Sequence, residues 1–262
     1  MKKKITLLIT VVLLLVGSVA IRAQEIIKVG ATAVPHGEIL EILVPVLAEQ
    51  GIKLEIVEFT DYVRPNLALS DGDLDANFFQ HLPYLEEFCL DHGLNLVSLA
   101  GVHVEPLGIY SSKIKSVDEF TKGSVVTIPN DATNGGRALL LLQSAGLIKI
   151  NPNAGITPTV FDVTENKLNL KFYELEAAQL ARSLDDTTAS VINGNYALLA
   201  GFVPTKDAVF LEGAESPYVN ILAVRAEDIE NPLLAKLAAA LQSDLVRDFI
   251  LEKYAGSVVP AF

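Results

Sequence analysis

The chain has 262 residues, a formal net charge of −12 and a single cysteine, Cys89. That length suits one or two globular domains with a core large enough to need no disulfide, and one cysteine cannot form an internal one. The acidic excess, with its only cluster of cations at residues 2–4, argues against a nucleic-acid partner and against adhesion of the folded body to anionic lipid.

The N-terminus reads as an address. Lys2, Lys3 and Lys4 precede an apolar run, 5–16, interrupted only by Thr6 and Thr10; Gly17, Ser18, Ala20 and Ala23 follow. This is the layout of a secretory signal peptide over 1–23. The run is shorter than the roughly 20 residues of a bilayer span. Extended through Ile21, it leaves an uncleaved membrane anchor as the alternative. Removal of 1–23 takes away Lys2, Lys3, Lys4 and Arg22 and no acid, moving the formal charge from −12 to −16.

From residue 26 strands and helices alternate. A strand at 26–31 leads through a turn at 34–37 into a helix at 38–50, with Ile39, Ile42, Leu43, Val46 and Leu47 at helical spacing and Gly51 as its stop. A strand at 53–59, a short helix at 64–69, an Asp71-Gly72 turn and a strand at 76–79 follow. Pro83 opens a helix to Asp91 that holds Cys89 as a buried side chain and closes at Gly93. Strands are expected at 96–99, 107–110 and 125–128, then a helix at 133–145 closed by Gly146. The remainder reads as strands at 159–163, 170–174, 189–192 and 219–224, helices at 176–183 and 195–200, and one long amphipathic helix at 232–254. This rhythm implies an α/β fold with largely parallel sheets, whose ligands bind beyond the carboxyl ends of the strands.

Catalytic signatures are mostly missing. The chain has no G-x-S-x-G, Walker or G-x-G-x-x-G motif, and His36, His81, His92 and His103 lack metal-ligand spacing. Ser112 to Lys115 matches S-x-x-K without its companion motifs, and the acidic run at 71–75 has its glycine misplaced for a calcium loop. The expectation is a protein that is not an enzyme, with no cofactor and no metal.

Four constellations suggest binding instead, each with a plainer structural reading. Phe78, Phe79, His81, Leu82 and Tyr84 fall at a strand-to-helix junction. Such a wall suits a thioether or flat apolar side chain, but equally a core strand, and Phe78 and Leu82 are expected in the core. Strand alternation puts Phe79 on the face opposite Phe78. Asn130 to Arg137 opens a helix, where amides and a guanidinium can hold a carboxylate; a solvated arginine is the plainer reading. Asn193-Gly194-Asn195-Tyr196 and the run 216–220, with Asn220, offer donors and acceptors that suit a zwitterion, or simply turns. Tyr62 adds an aromatic after the 53–59 strand.

Six ordered blocks, Glu58 to Val63, DANFFQHLPYL at 75–85, HVEPLGIYS at 103–111, IPNDATNGGRALLLLQSAGLI at 128–148, VINGNYAL at 191–198 and SPYVNILAV at 216–224, resemble the NlpA-type lipoprotein family, the methionine-binding proteins of bacterial ABC importers. The resemblance covers nearly the whole chain after residue 23. It implies a two-lobed periplasmic binding protein fold with a ligand cleft between the lobes: 24–106 plus 223–262 as the first lobe and 107–222 as the second. It also implies a monomeric protein that captures L-methionine and hands it to a permease in the inner membrane, without covalent chemistry. Tyr62, Phe79, His81 and Tyr84 match the wall around the ligand side chain, Arg137 the partner of its carboxylate, and Asn193 and Asn220 the partners of its backbone groups. A Met-containing dipeptide, another small amino acid, or a secreted interaction protein on the same fold are the alternatives. Family members usually carry a lipid-modified cysteine after the apolar run; the only cysteine here is Cys89. A lipid anchor is therefore unsupported, and a periplasmic or envelope-held protein is expected.

Overall fold

The computed structural model describes residues 24–213 and 216–262; the proposed signal segment lies outside them. In chain order, β1 (Glu25–Thr32), α1 (Glu38–Glu49), β2 (Ile52–Phe59), α2 (Arg64–Ser70), β3 (Ala76–His81), α3 (Leu82–His92) and β4 (Leu96–Val104) build a first unit. A second follows with β5 (Gly108–Tyr110), β6 (Val125–Pro129), α4 (Ala132–Ser144), β7 (Lys149–Ile150), β8 (Val163–Glu165), β9 (Lys171–Leu175), β10 (Ala189–Ile192), α5 (Gly194–Leu199), α6 (Pro204–Asp207) and β11 (Phe210–Leu211). The chain then returns through β12 (Val219–Arg225), α7 (Pro232–Leu241), α8 (Asp244–Tyr254) and β13 (Val259–Pro260).

Two main sheets result. One is ordered β13-β4-β12-β3-β1-β2, the other β11-β5-β10-β6-β9; β7 and β8 pair separately. Both are mixed rather than largely parallel. β1 runs parallel to β2 and β3, but β12 lies antiparallel to β3 and β4. In the second sheet β6 runs parallel to β9 and β10, and β5 antiparallel to β10 and β11. The antiparallel strands are those next to the points where the chain passes between sheets, so they return without a crossover helix. Because β12 pairs with the first sheet along its length, residues 219–222, assigned from the sequence to the second lobe, hydrogen-bond within the first sheet.

Each sheet has its own core. Ile39, Leu40, Leu43 and Leu47 of α1, with Leu234, Leu237 and Leu241 of α7 and Val246 and Ile250 of α8, cover the first sheet. Leu139, Leu141 and Leu142 of α4 cover the second, against Val126, Ile128 and Val191. Helix ends follow local chemistry. Gly51, Gly93 and Gly146 take φ of 78°, 66° and 77°, conformations that only glycine adopts without strain. The C-terminal segment is two helices rather than one, because Ser243 is extended (φ −85°, ψ 160°) and starts α8 afresh. Residues 176–183 form two short 3-10 turns instead of a helix. Cys89 is only partly buried, its thiol against the Leu96 carbonyl at 3.8 Å. No helix among the described residues is long and apolar enough to cross a membrane.

Candidate functional site

All seven residues singled out from the sequence, Tyr62, Phe79, His81, Tyr84, Arg137, Asn193 and Asn220, line one cavity. Gln80, Asn134, Gly194 and Asn195, which fall within the constellations named from the sequence, also line it, and so does Glu105, which the sequence reading did not single out. The first sheet contributes the end of β3, the start of α3 and the first residues of β12. The second contributes the start of α4 and the β10–α5 junction.

The aromatic wall comes from strand alternation. Phe78 points into the first core, while Phe79 joins Tyr84 and Phe88 on the other face, with Tyr62 packed beside them. Leu82, expected in the core, is 37% exposed because it sits on the outer side of the first turn of α3. Ring centroids of Tyr62 lie 5.9 Å from Phe79 and 5.8 Å from Tyr84. The tyrosine hydroxyls are tied down: Tyr62 donates to Asn195 Oδ1 at 2.6 Å and Tyr84 to the Tyr62 carbonyl at 3.0 Å. Tyr196 donates to the Thr60 carbonyl at 3.0 Å, so two of these bonds join the first unit to the second.

His81 caps α3 by accepting from the Tyr84 amide through Nδ1 (3.1 Å), so its proton sits on Nε2, which donates to Asn134 Oδ1 (3.1 Å). Burial, then the nearby Arg137 charge, lower its pKa to about 3, and the ring is neutral at pH 7. Asn134 Oδ1 also accepts from Asn193 Nδ2 at 2.7 Å. The Asn134 amide nitrogen is held by Asp131, the N-cap of α4, whose carboxylate is pushed upward in pKa by burial. Asn193 Oδ1 is buried without a hydrogen-bond partner.

Arg137, expected as an arginine free to take an anion, already has a protein carboxylate. Its Nε donates to Glu212 Oε1 at 3.0 Å and its Nη2 both to Glu212 Oε2 and to the Glu105 carbonyl, the latter at 2.9 Å. The guanidinium lies 4.2 Å from the centre of the Tyr218 ring. The Nη1 edge has no hydrogen-bond partner among the described residues, and it is what Arg137 has left for a ligand. Asn220 Oδ1 likewise has a partner, His36 Nε2 at 3.1 Å.

Beneath Asn220 lies a cluster of His36, His103 and Glu105, the described residues whose potential metal-ligand atoms fall within 4.8 Å of one another. His103 Nε2 donates to Glu105 Oε1 at 2.9 Å, a bond that needs no ion, and His36 Nε2, bonded to Asn220 Oδ1, lies 3.3 Å from the same oxygen. Burial lowers the pKa of His36 to about 4 and of His103 to about 3. Glu105 escaped notice in the sequence because a lone acid before a proline at a crossing carries no local pattern; the HVEP block was its only trace.

The NlpA lipoprotein sequence profile matches residues 27–262. The chain belongs to the NlpA lipoprotein family. Among its NlpA relatives, the D-methionine-binding lipoprotein MetQ of Escherichia coli (strain K12) is 47% identical over 236 residues, 89% of this chain and 87% of that protein. A nutrient binding protein from Burkholderia cenocepacia, solved bound to methionine, is 47% identical with a TM-score of 0.88, covering 90% of this chain and 100% of that one. An ABC transporter periplasmic substrate-binding protein from Coxiella burnetii is 41% identical with a TM-score of 0.86 over 90% of this chain and 100% of that one. The architecture described above is thus that of the NlpA family's substrate-binding proteins.

Proposed function

We propose that this chain is the extracytoplasmic binding component of an ABC importer and that it captures methionine, or a close relative of it, in the cavity between the two sheets. The observation that carries the reading is the pairing of opposite surfaces in one small chamber. The aromatic wall of Tyr62, Phe79 and Tyr84 suits a thioether, and Arg137, Asn193 and Asn220 face it with groups that suit a zwitterion. In this reading the ligand carboxylate takes the free Nη1 edge of Arg137, and His81 serves as a neutral donor-acceptor that positions Asn134. An interaction protein without a transport role has less need of a chamber lined by buried polar groups.

The two units act as lobes, with the chain passing between them before β5 and before β12, and closure buries the ligand. No covalent step is required: the protein works as a monomer that hands its cargo to a permease in the inner membrane. With its only cysteine in α3, the chain is exported and either free in the periplasm or held by its uncleaved apolar segment. Native mass spectrometry of the purified protein, then thermal shift against the twenty amino acids after unfolding and refolding to strip ligand, tests the reading. A co-purified mass of methionine and a shift with methionine are expected. No bound species and no shift with any amino acid would overturn the amino-acid reading.

A further inference from the structure

Glu105 is 5% exposed, lines the cavity, and is surrounded by donors. His36 Nδ1 is bonded to Thr32 Oγ1 at 2.8 Å, and its Nε2 faces two acceptors, Asn220 Oδ1 and Glu105 Oε1. The proton therefore sits on Nε2. His103 Nδ1 has no partner, so its proton also sits on Nε2, donating to the same Glu105 oxygen. Burial pushes the Glu105 carboxyl upward in pKa, and the Arg137 charge and the backbone N–H of Asn195 act against that. A carboxylate has about four lone-pair sites; the His103 and Asn195 donors take two, and His36 Nε2, bonded to Asn220 Oδ1, lies 3.3 Å from Oε1.

The charges do not balance as neatly as the hydrogen bonds. Both imidazoles are neutral donors. Arg137, whose charge also reaches Glu105, is already paired with Glu212. One guanidinium thus stands against two carboxylates, of which Glu105 lines the cavity. A second acceptor stands in the same corner. Gly194 packs so closely on Glu105 that a Cβ there would fall 2.7 Å from Glu105 Cβ and 2.9 Å from Oε2. That packing sets the β10–α5 junction, with the unpartnered Oδ1 of Asn193, beside the carboxylate. A buried anion and a buried orphan acceptor are both costly unless a donor, preferably a cation, completes them.

We propose that Glu105 is the counter-charge for the ammonium of the bound ligand, with Asn193 Oδ1 as its second acceptor, and that this corner makes the site select α-amino acids over carboxylic acids of the same shape. The proposal rests on the amino-acid reading above. His36 and His103 are then positioning residues: they hold the carboxylate in place without cancelling its charge.

The test compares L-methionine with 4-(methylthio)butanoic acid, which lacks only the amine, by isothermal titration on the wild type and on Glu105→Gln. The wild type should prefer methionine by roughly 10- to 100-fold, and the preference should shrink to within about 3-fold in the variant. An equal loss for both ligands marks a merely structural role and overturns the proposal, as does a preference that survives intact. Should the variant not fold, the wild type gives an independent reading in buffers of differing ionisation heat. Binding of the desamino acid should take up protons, because Glu105 is then buried without a cation, and methionine should not; equal uptake overturns the proposal. A wild type that binds desamino acid and methionine equally well refutes this role alone, whereas one that binds neither refutes the amino-acid reading and this proposal with it.

Discussion

Arg137→Ala separates the two partners of the guanidinium. The side chain is 3% exposed, and three of its five N–H groups are taken by Glu212 and the Glu105 carbonyl. Only Nη1 is left for a ligand carboxylate. A hydrogen bond to a charged group contributes about 1.5–3 kcal/mol, so the dissociation constant for methionine should rise roughly 10- to 150-fold. The empty protein should be destabilised as well. Breaking a fully buried pair costs about 3–5 kcal/mol, but the Glu212 side chain keeps 18% of its exposure and can recover water, which points to about 1–3 kcal/mol here. Titration calorimetry gives the affinity and urea unfolding of the ligand-free protein gives the stability. Glu212→Gln is the control: it relaxes the pair but leaves the cation, so it should cost stability with a much smaller loss of affinity. A dissociation constant for Arg137→Ala within about threefold of wild type, alongside a clear loss of stability, would show that the guanidinium serves Glu212 alone and refute its part in binding.

Three further outcomes are expected. Asn220→Ala should weaken methionine binding while costing the empty protein only about 1 kcal/mol, since His36 Nε2 keeps Glu105 as an acceptor; a collapse of the melting temperature without ligand would make Asn220 structural. His36, His81 and His103 have folded pKa values of about 4, 3 and 3 against 6.5 unfolded, so the unfolded chain binds protons first and stability should fall as pH drops from 6.5 towards 4. Each contributes up to about 3 kcal/mol over that window, partly offset by Glu105, whose raised pKa acts in the opposite sense; urea midpoints flat between pH 7 and 5 would contradict this. Mass spectrometry of the mature protein from its host should show no diacylglycerol mass, and finding one would overturn the reading of the N-terminus.

Much of the fold was legible because its boundaries are written in local chemistry. The glycines at 51, 93 and 146 and the prolines that open helices need only their neighbours to act. The break between α7 and α8 was missed because the apolar pattern continues across it: Leu234, Leu237 and Leu241 are followed by Val246, Ile250 and Tyr254 on the same core. The five-residue step from 241 to 246 was the available signal, since an unbroken helix face repeats every three or four. The aromatic wall was readable as a dense run with alternating faces. Glu212 was not, because it acts through a partner distant in sequence: Arg137 lies 75 residues away, and no local pattern announces that pairing; Glu105 has His103 nearby, but His36 and Arg137 reach it only through the fold.

Both β1 and β13 belong to the first sheet, and every residue of the second sheet is contributed between β4 and β12. Tension applied between the two ends of the chain is therefore carried by the first sheet, with the second hanging from its two strands of connection outside the load path. If the protein is moored by its N-terminal segment, the moored half is the first unit, and the other half remains free to swing against it.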